Sequence, residues 1–175
     1  QTMVKLAEDN DRVVAITAAM CDGTGLEQFA AQYPDRFFDV GIAESHGVTF
    51  ACGLAAEGMR PVAEAQFDGF VYPMVDHIVC HAARMRSRTR GRLSCPLVLR
   101  IPWVGGIRAP EHHSEANEAI FTNVPGLRVV MPSSPGRRLT SWRAPDGAVT
   151  VSRRSMSSSE RRSSASFGPT VTRAD

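Results

Sequence analysis

The fold of this chain is decided by the stretch RFFDVGIAESH, residues 36–46. Residues 37–40 have the length and the β-rich composition of a buried strand, and Gly41 permits a tight exit from it. Small apolar residues then recur at helical spacing: Val48, Ala51, Cys52, Ala55 and Ala56. Glu44 therefore falls at a corner between a strand and a helix, where the amide dipoles of the helix start favour a carboxylate.

Further strands and helices alternate on both sides of this corner. The predicted strands are 13–17, 37–40, 61–65, 96–101 and 127–131, and the predicted helices are 2–9, 26–33, 44–58, 71–82 and 115–121. This alternation predicts an α/β fold, a parallel sheet with helices on both faces. Ligands of such sheets bind beyond the carboxyl ends of the strands. The Glu44 corner, residues 67–70 and a loop at 102–114 are all expected at that edge.

The composition changes near residue 136. Residues 1–136 carry 12 basic and 15 acidic side chains, whereas residues 137–175 carry 8 basic and 3 acidic ones, with nine serines. We therefore predict one domain over 1–136 and an Arg/Ser-rich tail over 137–175 that is disordered or frame-shifted. We expect that the reading frame is lost soon after Pro135. A basic interaction tail is the alternative.

The sequence carries no signal for a membrane or for an oxidising compartment. No apolar run approaches the ~20 residues of a membrane span, and no charged-then-apolar leader opens the chain. The four cysteines are scattered without close pairing. We expect a soluble protein in the cytoplasm, with no membrane partner.

Motifs in both halves of the domain resemble the pyrimidine-binding domain of thiamine-diphosphate enzymes of the transketolase superfamily. Residues 12–62, with VVAITAAM at 13–20, DGTGL at 22–26 and DVGIAE at 39–44, are most similar to 1-deoxyxylulose-5-phosphate synthase. Residues 63–135, with FDGF at 67–70, PLVLR at 96–100 and GGIRAPEHHS at 105–114, are similar to the β subunit of 2-oxo acid dehydrogenase E1.

The resemblance implies roles for Glu44 and Phe70. Glu44 matches the glutamate that hydrogen-bonds N1′ of the cofactor's aminopyrimidine and shares a proton with it, a task that needs a carboxyl shielded from water. The contact favours the imino tautomer, which removes the C2 proton of the thiazolium, so that the cofactor becomes an electron sink. Phe70 matches the aromatic ring that stacks on the aminopyrimidine. Without the resemblance, Glu44 is a first-turn carboxylate and Phe70 is core.

Two adjacent histidines follow in the 102–114 loop. His113, directly before Ser114, best matches the E1 β-subunit histidine near the substrate and the incoming lipoyl group, where an imidazole can hold or donate a proton. His112 is a weaker candidate for substrate binding, since adjacent side chains point in different directions. The alternative for both is a surface loop position.

The other histidines and an arginine cluster are assigned no chemistry. His77 and His81 are four apart but lack a third ligand at motif spacing, so we predict helix-surface residues and no metal site. His46 is a possible neighbour of the Glu44 site. The arginines at 84, 86, 88, 90 and 92 have no interleaved aromatic residues, so we expect a solvated or subunit-facing patch and no nucleic acid.

The resemblance also implies thiamine diphosphate and a partner chain. Such enzymes hold the diphosphate and its Mg²⁺ on a separate domain with a Gly-Asp-Gly segment, which this sequence lacks. We therefore expect an E1 α-type subunit to hold the Mg²⁺, with a lipoyl-bearing E2 and a small 2-oxo acid as further partners. The predicted function is a β-subunit-like part of E1, inactive alone. The alternatives are a synthase or transketolase-like fragment and a truncated, non-catalytic subunit-binding module.

Overall fold

A computed structural model describes residues 1–102, 110–131 and 149–152, the last four by their backbone. Within this part, six strands form one sheet in which each hydrogen-bonded pair is parallel. The strand order is β2-β1-β3-β4-β6-β5. The strands are β1 (Val13–Thr17), β2 (Phe37–Asp39), β3 (Arg60–Glu64), β4 (Val98–Arg100), β5 (Leu127–Val129) and β6 (Val149–Ser152).

Helical segments connect these strands. The α-helices are α1 (Thr2–Asp9), α2 (Cys21–Thr24), α3 (Glu27–Gln32), α4 (Glu44–Ala56), α5 (Met85–Arg88) and α6 (Glu118–Thr122). Three 3₁₀-helices cover Pro34–Arg36, Asp68–Met74 and Glu111–His113, and a π-helix covers His77–Ala82. In the part of the chain that the structure describes, every helix is too short or too polar to cross a membrane.

The sheet has a hydrophobic core on each face. Side chains alternate along a strand, so Ala15 of β1 packs with α1 and α3, whereas Ile16 packs on the other face with α4 and α6. The same alternation sends Val62 of β3 to one core and Ala63 to the other. The predicted α/β architecture, a parallel sheet with helices on both faces, is thus confirmed.

The predicted long helix over 71–82 is wrong in its geometry. The segment is a 3₁₀-helix up to Met74 and a π-helix from His77. Pro73 lacks an N–H group and cannot make an α-helical hydrogen bond to residue 69. The apolar period was nevertheless informative, because Val71, Met74 and Ile78 are all buried.

The sheet contains one strand that the sequence analysis did not predict. Residues 149–152, with the β-favouring sequence VTVS, form β6 between β4 and β5. For these four residues the expectation of disorder is wrong, because the strand lies in parallel register with both neighbours. Residues 132–148 and 153–175 lie outside the described part of the chain. The boundary at residue 136 and the frame-shifted tail therefore remain predictions.

Candidate active site

Glu44 lies at the carboxyl edge of the sheet. It is the first residue of α4, is half-buried, and lines a small cavity of about 10 Å³ together with residues at the ends of β1 and β3. A cavity of this size holds about one water molecule. The carboxylate therefore lies at the sheet edge predicted for ligand binding.

The turn before Glu44 is fixed by Asp39. Its Oδ1 accepts hydrogen bonds from the backbone N–H groups of Ala19 and Gly41, each at 2.9 Å. Gly41 has φ +68°, a left-handed conformation that favours glycine. The end of β2 is thus tied to the loop after β1, and α4 begins at a defined place.

Thr17 lines the same cavity as Glu44 and was missed by the sequence analysis. It ends β1, only 1% of its surface is exposed, and its Oγ1 has no hydrogen-bond partner among the described residues. A buried hydroxyl without a partner is uncommon in native proteins. The cavity therefore combines a carboxylate with a hydroxyl that can still donate or accept one bond.

An ion pair joins two strands beside this cavity. Glu64 ends β3 and its side chain is completely buried, and Arg100, its register partner on β4, donates Nε–H to Glu64 Oε2. Arg100 Nη2 also donates to the carbonyl oxygen of Thr24 at 2.6 Å.

Phe70 lies with both predicted loop histidines in an aromatic cluster. Its ring centroid is 4.9 Å from that of His112 and 5.4 Å from that of His113, both edge to face. Phe67 is half-buried and packs edge to face on His113 at 5.1 Å. The structure thus brings together Phe70, His112 and His113, and adds Phe67.

Met74 links this aromatic cluster to the Glu44 cavity. It belongs to the same 3₁₀-helix as Phe70, is buried, and lines the cavity beside Glu44. The 3₁₀-helix packs against α4, whose first residue is Glu44. The two predicted cofactor-binding residues therefore lie on neighbouring elements at one edge of the sheet.

The contact between Phe70 and the loop depends on Gly69. A Cβ atom at this position would lie 1.7 Å from the carbonyl oxygen of His112, so only glycine permits the two backbones to touch.

We expect Gly69→Ala to lower the free energy of unfolding by about 2 kcal/mol, because the loop must move away from the 3₁₀-helix. Chemical denaturation measures this change. The matched control is Gly53→Ala in α4, where a Cβ meets nothing within 4 Å. The free energy of unfolding of that variant should rise by up to about 1 kcal/mol, because alanine has a higher helix propensity than glycine. Equal stability of the Gly69 variant and the wild type would contradict the close packing.

A buried carboxylate anchors the segment that follows the histidines. Asp68 is 3% exposed and accepts a hydrogen bond from the backbone N–H of Asn117 at 2.5 Å. The pKa of Asp68 is raised to about 6, mainly by burial and in addition by the nearby carboxylates of Glu118 and Glu115, while the bonds from Asn117 oppose the shift. Tyr72 adds a hydrogen bond to Glu115 at 2.9 Å.

Asp68 should make the stability of the chain depend on pH. Its folded-state pKa lies above the unfolded value of ~3.9, so its protonation stabilises the fold below pH 4, and this contribution is lost as the pH rises through 6. Two pKa units correspond to about 3 kcal/mol. Asp68→Asn keeps an acceptor for the Asn117 N–H but does not titrate. Urea unfolding at pH 4 to 7 measures the free energy of unfolding, which should depend less on pH in this variant than in the wild type. The same pH dependence in both proteins would contradict the raised pKa of Asp68.

The remaining sequence candidates lie apart from the aromatic cluster. His46 is exposed and stacks on Phe50 at 6.2 Å. His77 is half-buried and His81 is exposed, and Asp76, which the sequence analysis did not consider, lies beside both. The arginines at 84, 86, 88, 90 and 92 are all exposed, and those at 84, 86 and 90 line an open cavity of about 650 Å³.

Comparison with known proteins identifies the domain. The model of the transketolase pyrimidine-binding domain matches residues 1–145. The pyruvate dehydrogenase E1 β subunit of Acholeplasma laidlawii is 52% identical over 118 residues, which are 65% of this chain and 36% of that protein. The 1-deoxy-D-xylulose-5-phosphate synthase of Thermomicrobium roseum is 65% identical over 83 residues, 46% of this chain and 13% of that protein.

A solved structure shares the fold. It is a split-gene transketolase described as an inactive β4 tetramer, with a TM-score of 0.70 and 22% identity over 86% of this chain and 47% of that chain. The chain spans about a third of the length of the E1 β subunits it matches and a fifth or less of the synthases. The family implies the use of thiamine diphosphate. By its match over residues 1–145, the chain belongs to the family of transketolase pyrimidine-binding domains.

Proposed function

We propose that this chain supplies the pyrimidine-binding side of the active site in a thiamine-diphosphate-dependent 2-oxo acid dehydrogenase E1, in the position of the β subunit. The observation that carries the proposal is the placement of Glu44 and Phe70 on neighbouring elements at the carboxyl edge of the sheet. The similarity to an E1 β subunit, at 52% identity over 118 residues against 43% over 133 residues for a synthase, supports this choice of enzyme.

The residues at this edge suit an aminopyrimidine ring. Such a ring needs polar partners for its nitrogens and an apolar surface for its face. Glu44 offers a carboxylate and Thr17 a buried hydroxyl without a partner among the described residues, both on one cavity. Phe70 offers a half-buried aromatic ring. The donor set and the aromatic ring thus fit the cofactor that the family implies.

Each residue has a distinct proposed task. Thiamine diphosphate, when bound, supplies an electron sink for decarboxylation of a 2-oxo acid. Glu44 would hold and return a proton at the ring nitrogen N1′, and Phe70 would orient the ring by stacking. His113 would hold or donate a proton beside the substrate, and His112 would contribute to substrate binding. The edge-to-face contacts of both histidines with Phe70 support this placement.

The diphosphate end of the cofactor needs a second protein unit. The 175-residue sequence contains no Gly-Asp-Gly segment. We propose that an E1 α-type chain binds the diphosphate and its Mg²⁺, and that a lipoyl-bearing E2 accepts the acyl group. On this proposal the chain is inactive alone.

A second candidate function is supported by the similarity to synthases, which in one of them extends over 133 residues, 75% of this chain. The 65% identity to a 1-deoxy-D-xylulose-5-phosphate synthase favours an enzyme that joins pyruvate to an aldehyde phosphate. A non-catalytic subunit-binding module is the third reading.

The DNA on both sides of the gene and a reconstitution assay separate these functions. An adjacent α-subunit gene is expected for E1, whereas an upstream in-frame domain with Gly-Asp-Gly would indicate the synthase. The protein is then produced with that partner and assayed for acylation of a lipoyl domain by 2-oxo acids. Condensation of pyruvate with an aldehyde phosphate instead of acylation would overturn the E1 proposal, and the absence of both activities would favour the module.

A further inference from the structure

The segment after the 3₁₀-helix has an unusual geometry. Residues His77–Ala82 form a π-helix, in which the N–H of Ala83 bonds to the carbonyl of Ile78 at 2.9 Å, five residues earlier. The wider turn places residue 81 beside both residue 76 and residue 77. Single π turns within helices occur frequently at functional sites.

Three potential metal ligands meet on this turn. One donor atom each of Asp76, His77 and His81 lies within 4.8 Å of the other two. Donors bound to one Zn²⁺ at 2.0–2.2 Å are roughly 3–4 Å apart. Asp76 and His81 are exposed, so small rotations of their side chains can close this difference. We propose that Asp76, His77 and His81 form a binding site for a divalent first-row transition metal ion, with Zn²⁺ as the favoured occupant.

The hydrogen bonds of His77 prepare it as a ligand. Thr49 Oγ1 donates its only proton to the carbonyl oxygen of Ser45 at 3.1 Å and lies 2.9 Å from His77 Nδ1. In the tautomer in which His77 Nδ1–H donates to Thr49, Nε2 keeps its lone pair for a metal ion. A metal-bound histidine ordinarily has this arrangement, in which the second nitrogen donates to a fixed acceptor.

The donor set determines which ions suit the site. Two imidazoles and one carboxylate match zinc and related transition metals, whereas Mg²⁺ and Ca²⁺ prefer oxygen ligands alone. Water would complete the coordination, because the turn is open to solvent. The site is distinct from the proposed active site and does not depend on that function.

One neighbouring cation should weaken the site. Arg88 Nη1 lies 3.5 Å from His81 Nδ1, and Arg88 Nη2 donates to the carbonyl oxygen of Cys80 at 2.7 Å. The guanidinium repels a bound metal ion and competes for a lone pair of His81. Removing this charge should therefore strengthen metal binding, whereas a site elsewhere on the chain would be unaffected.

The test is a titration of the full chain with Co²⁺, followed by its visible absorption bands, and with Zn²⁺ by calorimetry. We expect one ion per chain, at least a tenfold loss of affinity for His77→Gln and for His81→Gln, and a severalfold gain for Arg88→Gln. The matched control is His46→Gln, an exposed histidine outside the cluster, which should bind as the wild type does. Melting temperatures of the metal-free variants check that they fold.

Two results would overturn the proposal. One is the absence of Co²⁺ and Zn²⁺ binding to a folded wild-type chain. The other is unchanged affinity and spectrum in the double variant His77→Gln/His81→Gln, which would place the ion elsewhere.

Discussion

The Glu44→Gln variant is expected to lower kcat of the reconstituted enzyme at least 100-fold. Glutamine matches glutamate in size and can still form a hydrogen bond, but it cannot exchange a proton with a ring nitrogen at neutral pH. Proton transfer by a positioned side chain typically contributes 10²–10⁴-fold to the rate. Steady-state assays of the complex with its partner chain, at saturating thiamine diphosphate, measure the change. Glu44 lies at the edge of the cores, so the variant should fold and assemble normally.

The control for this experiment is Glu57→Gln. Glu57 is an exposed carboxylate directly after the carboxyl end of the same helix, α4, so the variant loses the same charge at a distance from the site. Its turnover should equal that of the wild type. Undiminished turnover of Glu44→Gln in an assembled complex would contradict a proton-transfer role for Glu44.

The Arg100→Met variant is expected to lose about 4 kcal/mol of folding stability. The Glu64 carboxylate is completely buried, and the Arg100 guanidinium donates a hydrogen bond to it. Removing one partner of a buried ion pair costs about 3–5 kcal/mol, because the remaining charge stays out of water. The variant also loses the bond from Arg100 to the carbonyl of Thr24. Chemical denaturation at pH 7 measures the loss.

Two controls separate this charge effect from a loss of packing. Arg86→Met removes an exposed arginine from α5 and should change stability by less than about 0.5 kcal/mol. The double variant Glu64→Gln/Arg100→Met removes both charges and should recover much of the lost stability. If the double variant is as unstable as Arg100→Met alone, the buried charge is not the cause.

Strands β1 to β5 could be predicted because each contains or adjoins a short apolar run. The predicted bounds of β1 agree with the structure at both ends, because the strand VVAIT holds four β-branched residues and one alanine and has polar residues before it. The helix 71–82 was predicted with the correct buried face but the wrong geometry, because apolar spacing does not report the hydrogen-bond pattern. β6 was missed because it lies in a segment dominated by arginine and serine.

The candidate site was only partly accessible from sequence. Glu44 and Phe70 were identified by motifs, and their placement at one edge followed from the βαβ alternation. The pair of Glu64 and Arg100 depends on the register between β3 and β4, and the bond from Asn117 to Asp68 joins residues 49 positions apart. Such long-range contacts have no local periodicity, so a single sequence does not reveal them.

The most direct test of the central claim is a crystal structure of the chain with its partner subunit and thiamine diphosphate. We predict that a Glu44 carboxylate oxygen lies at hydrogen-bond distance, about 2.7 Å, from N1′ of the aminopyrimidine, and that the Phe70 ring lies against the face of the same ring. An aminopyrimidine bound elsewhere, with Glu44 facing bulk water, would contradict the claim.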